Sequence, residues 1–147
     1  MGGANSFFTP DQVAAIKEAV IAAEIKTSGE VRVFIESKCT GGECLDRAAD
    51  VFDELKLQKT EQRNGVLFYL AVDDHKFAIL GDAGINKKVP ADFWDTTKEH
   101  MQTRFRKGEF TEGLVDGIHM AGEKLIAHFP GVHDDINELE DDVIFGE

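Results

Sequence analysis

Proline is scarce in this 147-residue chain, with three in all, and so are cysteine (two), tryptophan (one) and tyrosine (one). Two cysteines, Cys39 and Cys44, cannot make a disulfide scaffold. They also lack the second Cys or His pair that a structural zinc site requires. Their spacing permits a local disulfide, but free thiols are expected of a protein kept in a reducing compartment. Positive charge is equally thin: 16 Lys and Arg stand against 28 Asp and Glu, for a net charge of −12. That balance repels nucleic acid and anionic lipid, which excludes both as natural partners. No apolar run approaches the about 20 residues a membrane-crossing helix needs. Met1 to Phe8 shows neither a basic segment nor an apolar one, so no signal peptide is visible. A cytoplasmic monomer is expected. The five histidines (75, 100, 119, 128 and 133) form no His-x-x-x-His pair, and neither a Gly-x-Ser-x-Gly elbow nor a phosphate-binding Walker loop is present.

What the chain does have is one unbroken apolar stretch, Val66 to Val72, bounded by Asn64-Gly65 and Asp73-Asp74. A β-rich run of this length reads as a strand buried on both faces. Asp73 to His75 turns the chain, and Lys76 to Leu80 returns as the second arm of a hairpin. Upstream, Thr9-Pro10-Asp11-Gln12 opens a helix over about 10–26, with Thr9 as cap and Gln12 closing a capping box. Glu30 to Glu36 alternates with period two and reads as a strand. Leu45, Ala48, Ala49, Phe52 and Leu55 mark an amphipathic helix after it. Strand, helix and strand in succession form a βαβ unit with parallel strands and a right-handed crossover. A third helix starts at Pro90 and runs to near Gly108 with Phe93, Thr97, Met101 and Phe105 inward. Thr111 caps a fourth, whose inner face is Leu114, Ile118, Ala121 and Leu125. Gly113 and Gly117 on that helix imply close approach to a neighbour. The fold class is α/β: a small mixed sheet of three to four strands between about four helices. Residues 1–8 read as an extension, 9–130 as the domain, and 131–147 as an acidic tail whose apolar residues allow part of it to dock.

This topology brings the start of the first strand (Glu30), the start of the second (Gly65) and the end of the antiparallel third (Asp82) to one edge of the sheet. Glu30 and Asp82 are the candidate metal ligands there, since hard carboxylate oxygens beside a glycine-shaped Gly81-Asp82-Ala83-Gly84 loop suit Ca²⁺ or Mg²⁺. The plainer alternative has Asp82 capping the loop and Glu30 paired with Arg106 or another cation. Asp73-Asp74-His75 reads as a polar hairpin tip, and Arg104, Arg106 and Lys107 as cations suited to a helix C-terminus.

The run Thr27-Ser28-Gly29-Glu30-Val31-Arg32-Val33, then Arg63-Asn64-Gly65-Val66-Leu67, Gly81-Asp82-Ala83-Gly84-Ile85, Phe105-Arg106-Lys107-Gly108-Glu109-Phe110 and Gly113-Leu114, resembles the TPM domain in order and spacing. That family includes thylakoid-lumen photosystem-repair proteins and many bacterial ones, and the resemblance spans about residues 7 to 130. It implies a three-layer α/β/α sandwich, divalent-cation binding in some members and a debated phosphatase activity, with Glu30, Asp82 and Arg106 as the matching candidates. The chain departs from many relatives in lacking their signal peptide and anchor and in adding the acidic tail. The function implied is a divalent-cation-binding module with an unknown protein partner, an adaptor in protein quality control or repair. The alternative is a metal-assisted phosphatase acting on phosphate monoesters.

Overall fold

At the N-terminus the capping box forms as its residues require. In this computed structural model, which describes residues 7–39, 44–131 and 143–146, the Thr9 hydroxyl accepts from the Gln12 N–H and the Gln12 side chain accepts from the Thr9 N–H. Helix α1 (Pro10–Glu24) follows. It stops two residues short of the expected end because Thr27 is held elsewhere: it bridges to Pro130, and its hydroxyl lies within hydrogen-bonding distance of the Leu125 and Phe129 carbonyls.

Strand β1 (Glu30–Glu36), helix α2 (Cys44–Glu54), a 3-10 turn at Leu57–Lys59, strand β2 (Gly65–Ala71) and strand β3 (Lys76–Gly81) come next. They are followed by a one-turn helix α3 (Ala83–Asn86), helices α4 (Phe93–Arg106) and α5 (Phe110–His128), and a short strand β4 (Val143–Phe145). The sheet order is β3-β2-β1-β4. β1 and β2 are parallel with Glu30 opposite Gly65, β3 returns antiparallel with Gly81 opposite Val66, and β4 runs parallel to β1. The central β2 is buried at every residue, which is why its sequence is an apolar run rather than an alternation.

Two cores make the three layers. On one face Val31, Val33, Ile35, Val66, Phe68 and Leu70 meet the inner faces of α1, α4 and α5. On the other, Phe34, Leu67, Tyr69 and Ala78 meet Ala48, Val51 and Leu57. Each Val, Leu, Ile or Phe among them, fully buried, contributes about 1.5–3 kcal/mol before the entropy of ordering it is subtracted. A Cβ on Gly117 would lie 2.5 Å from Met101 Sδ, so the small residues on α5 do mark its close contact with α4.

Beyond the earlier end of α1, the structure differs from the sequence reading at four places. The Asp82 loop is the start of helix α3, an element that no periodicity in the sequence marks. α4 begins at Phe93 rather than Pro90, whose carbonyl instead accepts from Phe93 N–H. α5 begins at Phe110 with Glu109 in the capping position, so Thr111 lies inside the first turn. Finally, Cys39 and Cys44 are joined as a disulfide rather than left as free thiols, with Cα atoms 5.3 Å apart. Cys39 follows β1 and Cys44 opens α2, which brings their Cα atoms within the range a bridge spans. β4 shows that part of the tail docks; the acids at 134, 135, 138, 140, 141, 142 and 147, and residues 1–6 of the extension, lie outside the described residues. Among the described residues no helix is long and apolar enough to cross a membrane.

Candidate functional site

Parallel pairing places Glu30 opposite Gly65, and the Gly65 carbonyl accepts the Asp82 N–H at 3.0 Å. Glu30 and Asp82 therefore flank Gly65 at one edge of the sheet, one strand to either side. Asp82 is buried, and its Oδ1 caps α3 by accepting from Ala83 N–H at 2.8 Å. Arg63 grips the same carboxylate as a fork, with Nε 2.6 Å from Oδ2 and Nη2 2.8 Å from Oδ1. Asp82 in turn raises the Arg63 guanidinium pKa above its already high value, chiefly through these hydrogen bonds. Arg63 holds a left-handed backbone, φ 55°, and its carbonyl accepts from the N–H groups of Gly84 and Ile85. One residue thus ties the start of α3 through both side chain and main chain.

Glu30 is about a third exposed at its side chain and accepts from Arg32 Nη2 at 3.1 Å. Its partner is thus Arg32, not Arg106. Arg32 also reaches the buried Glu24, which accepts the Val31 N–H. Asn64, the residue before Gly65, is 1 % exposed. Its main-chain carbonyl accepts from Glu30 N–H and its Nδ2 donates to Ser28 Oγ at 3.2 Å. Its Oδ1 is buried with no hydrogen-bond partner among the described residues. An orphaned buried amide oxygen costs about 1–3 kcal/mol, and a hard cation would satisfy it.

This edge therefore offers three oxygen donors of the kind Ca²⁺ and Mg²⁺ take: Asp82, Glu30 and Asn64 Oδ1. Two already have a guanidinium partner, and among the described residues no group of three or more His, Cys, Asp or Glu is placed to hold a metal. Any ion here must compete with Arg63 and draw on Asn64 and water. Sequence reasoning did not single out Arg63 and Asn64; their signal is adjacency, since both immediately precede Gly65.

The remaining candidates lie elsewhere. Arg106 lines a groove beside Phe77, toward the opposite end of β3 from Asp82. Asp74 sits at the hairpin tip and accepts the Cys39 N–H at 2.9 Å, while His75 there has φ 56°. In the second core Glu36 accepts a fork from Arg47, with Nε at 2.8 Å, and the hydroxyl of Tyr69. Burial first, then the bond to Glu36, raises the Tyr69 pKa above its ordinary value. All three side chains are satisfied, as a buried polar cluster must be. On the surface between α4 and α5, Asp116 is held by His100 and Arg104. Burial pushes its carboxyl up, but those hydrogen bonds outweigh it and lower the pKa.

The groove itself measures about 720 Å³ and wraps the outer edge of β3. Trp94, Phe105 and Phe77 wall one side, Cys44 and Leu45 the other. Leu45 is 54 % exposed.

The family model for the TPM domain matches residues 4–124. Among curated proteins none matches the chain. Among solved structures, the NMR structure of BA42 from the psychrophilic bacterium Bizionia argentinensis is 47 % identical, covers 96 % of this chain and 97 % of its own, and superposes with a TM-score of 0.83. An N-terminal domain from P. gingivalis is similar in fold at 18 % identity, with coverage of 87 % and 84 % and a TM-score of 0.68. The N-terminal domain of cg2496 from Corynebacterium glutamicum is similar at 10 % identity, with coverage of 81 % and 74 % and a TM-score of 0.65.

Proposed function

The chain belongs to the TPM domain family, and from that membership we propose that it is a divalent-cation-binding module with no chemistry of its own, serving as an adaptor for another protein. The observation that carries the reading is Asn64 Oδ1, a buried oxygen without a partner among the described residues, one position before the Gly65 that Glu30 and Asp82 flank. Asp82 and Asn64 Oδ1 would hold the ion, with Glu30 on the solvent side. Because Arg63 already neutralises Asp82, affinity should be weak, about 10⁻⁴ to 10⁻³ M as in low-charge calcium modules. A metal-assisted phosphatase is the lesser reading. It needs positive groups aimed at the developing charge, and the guanidinium beside Asp82 is spent on that carboxylate.

The test is an amide-resolved NMR titration of the metal-free protein with Ca²⁺ and then Mg²⁺. Amides of Glu30, Asn64 and Gly81 to Ile85 should shift at millimolar metal, and Asn64→Leu should abolish the shifts at Gly81 to Ile85. Amides that stay still at those positions, or move only at Asp73-Asp74, refute the site.

A further inference from the structure

Strand β3 is an edge strand whose outer side is open along its middle. In the antiparallel pairing with β2, Asp82 and Gly65 form a hydrogen-bonded pair. Alternation then turns the main-chain groups of Leu80, Ala78 and Lys76 toward β2, and those of Gly81, Ile79 and Phe77 outward. At Gly81 the outward carbonyl is covered, since it accepts from Asn86 Nδ2, and Asn86 Oδ1 is held by Trp94 Nε1. For Phe77 and Ile79 no main-chain partner exists among the described residues on that side. An uncovered edge of this kind is a template for an added strand.

The groove described above straddles this stretch. A strand laid against Phe77 to Ile79 would send alternate side chains to the two faces of the sheet. Both would meet apolar walls: Trp94, Phe105 and Phe77 on one face, Cys44 and Leu45 on the other. The occupant must therefore be apolar at consecutive positions. The rim is positive although the chain as a whole is strongly negative. Among the described residues, Lys76, Lys98 and Arg106 line the groove against the one carboxylate of Asp95, and Lys98 Nζ already lies 5.9 Å from the Phe77 ring centroid. Charge complementarity asks for acidic flanks. The opposite edge of the same sheet shows the size such a contact takes: β4 pairs with β1 over three residues, Val143, Ile144 and Phe145, with Val143 and Phe145 in one core and Ile144 in the other.

We propose that the β3 edge between Lys76 and Leu80 is a docking site for an extended segment of another protein, three or so consecutive apolar residues flanked by acids, added as a strand. The proposal rests on reading the domain as a binding module and gives its partner a chemical class. Main-chain hydrogen bonds from Phe77 and Ile79 supply the pairing, the two apolar walls select the side chains, and the three cations select the flanks.

A probe of that chemistry is the peptide Glu-Leu-Glu-Asp-Asp-Val-Ile-Phe-Gly-Glu, which has the sequence of residues 138–147 of this chain and stands in for such a segment of another protein, titrated into the full chain with amide-resolved NMR, with and without Ca²⁺. The amides of Phe77, Ile79 and Lys98 should shift. Replacing the acids by lysine, methylating the peptide's central main-chain nitrogens, or introducing Lys98→Glu with Arg106→Glu should each weaken binding by roughly tenfold or more. Both cations are exposed, and a spectrum of the double variant that is unchanged elsewhere verifies that it is folded. No shift at Phe77 and Ile79 at roughly millimolar peptide, equal binding of the methylated peptide, or shifts confined to Val33 to Ile35, where β4 of the same sequence already pairs, would overturn the proposal. So would light scattering that shows a dimer with Phe77 and Ile79 amides already protected, which would assign the edge to a second copy. Metal binding reads out separately at Gly81 to Ile85, so either site can fail alone.

Discussion

Replacing Gly84 by alanine is the sharpest test of how the Gly65 edge is built. A Cβ at Gly84 would stand 2.5 Å from the Arg63 carbonyl oxygen and closer still to that of Gln62. Both obstacles are main chain and cannot rotate away. Arg63 must retreat, which weakens the bonds its carbonyl accepts from Gly84 N–H at 2.7 Å and Ile85 N–H at 3.3 Å. Overpacking of this kind costs about 1–3 kcal/mol and each lost hydrogen bond about 1 kcal/mol, while alanine's better helix propensity returns about 1 kcal/mol in a one-turn helix. The net expectation is a loss of about 2–3 kcal/mol, which for a chain of this size lowers Tm by about 4–12 °C. Gly108 is the control. It has φ 79°, but a methyl group there would meet nothing within 4 Å, so Gly108→Ala should cost only the left-handed backbone penalty of about 1 kcal/mol. Thermal melts followed by circular dichroism give the comparison, and the Arg63 Nε–H resonance reports whether the fork on Asp82 is disturbed. A Gly84→Ala protein that melts at or above the wild-type temperature would show that the Arg63 carbonyl does not grip α3 as described.

Leu125→Ala should lower stability by about 2–5 kcal/mol in a urea titration, because Leu125 is fully buried and also fills the space beside Gly29. Tyr69→Phe should cost about 1 kcal/mol at neutral pH. Tyr69's pKa is raised in the fold, so its stabilising effect is whole below the unfolded value near 10 and is lost as pH climbs above it; denaturation curves of Tyr69→Phe should lack that alkaline decline. Reducing the Cys39–Cys44 bridge, or replacing both cysteines by serine, should cost roughly 2 kcal/mol, the value for a loop this short, and an unchanged urea midpoint on adding reductant would refute the bridge.

Elements whose burial is uniform or strictly periodic are legible in the sequence. Val66 to Val72 announces a central strand, Glu30 to Glu36 an alternating one, and Leu114, Ile118, Ala121 and Leu125 a helix face. The parallel pairing of β1 and β2, with the hairpin return, is enough to bring Glu30 and Asp82 to one edge. What the sequence conceals depends on contacts between distant residues. Arg63 lies 19 positions from Asp82, and no local pattern marks one charge as the other's partner. Asn64 reads only as a turn residue before a strand, because its contacts, Ser28 and Glu30, lie more than 30 residues earlier. Helix α3 is a single turn and has no periodicity to detect. The expectation of free thiols rests on an argument about cellular compartment, and the geometry that β1 and α2 impose on Cys39 and Cys44 has no place in that argument.

The seam at Thr27 has a consequence in time. Its hydroxyl reaches Leu125, 98 residues further along, and Ser28 N–H reaches the Phe129 carbonyl. Helix α1, first off the ribosome among these elements, packs against α5. At about 5–20 residues per second, α1 waits roughly 5–20 s for that partner. Through that interval β1, α2, β2 and β3 can assemble, but the apolar face of Val31, Val33, Phe68 and Leu70 is covered only in part until α5 arrives. Closing so long a loop makes this the slow contact of the fold. A nascent chain stalled before Phe110 would therefore present a half-covered sheet, a species for chaperones rather than for partners.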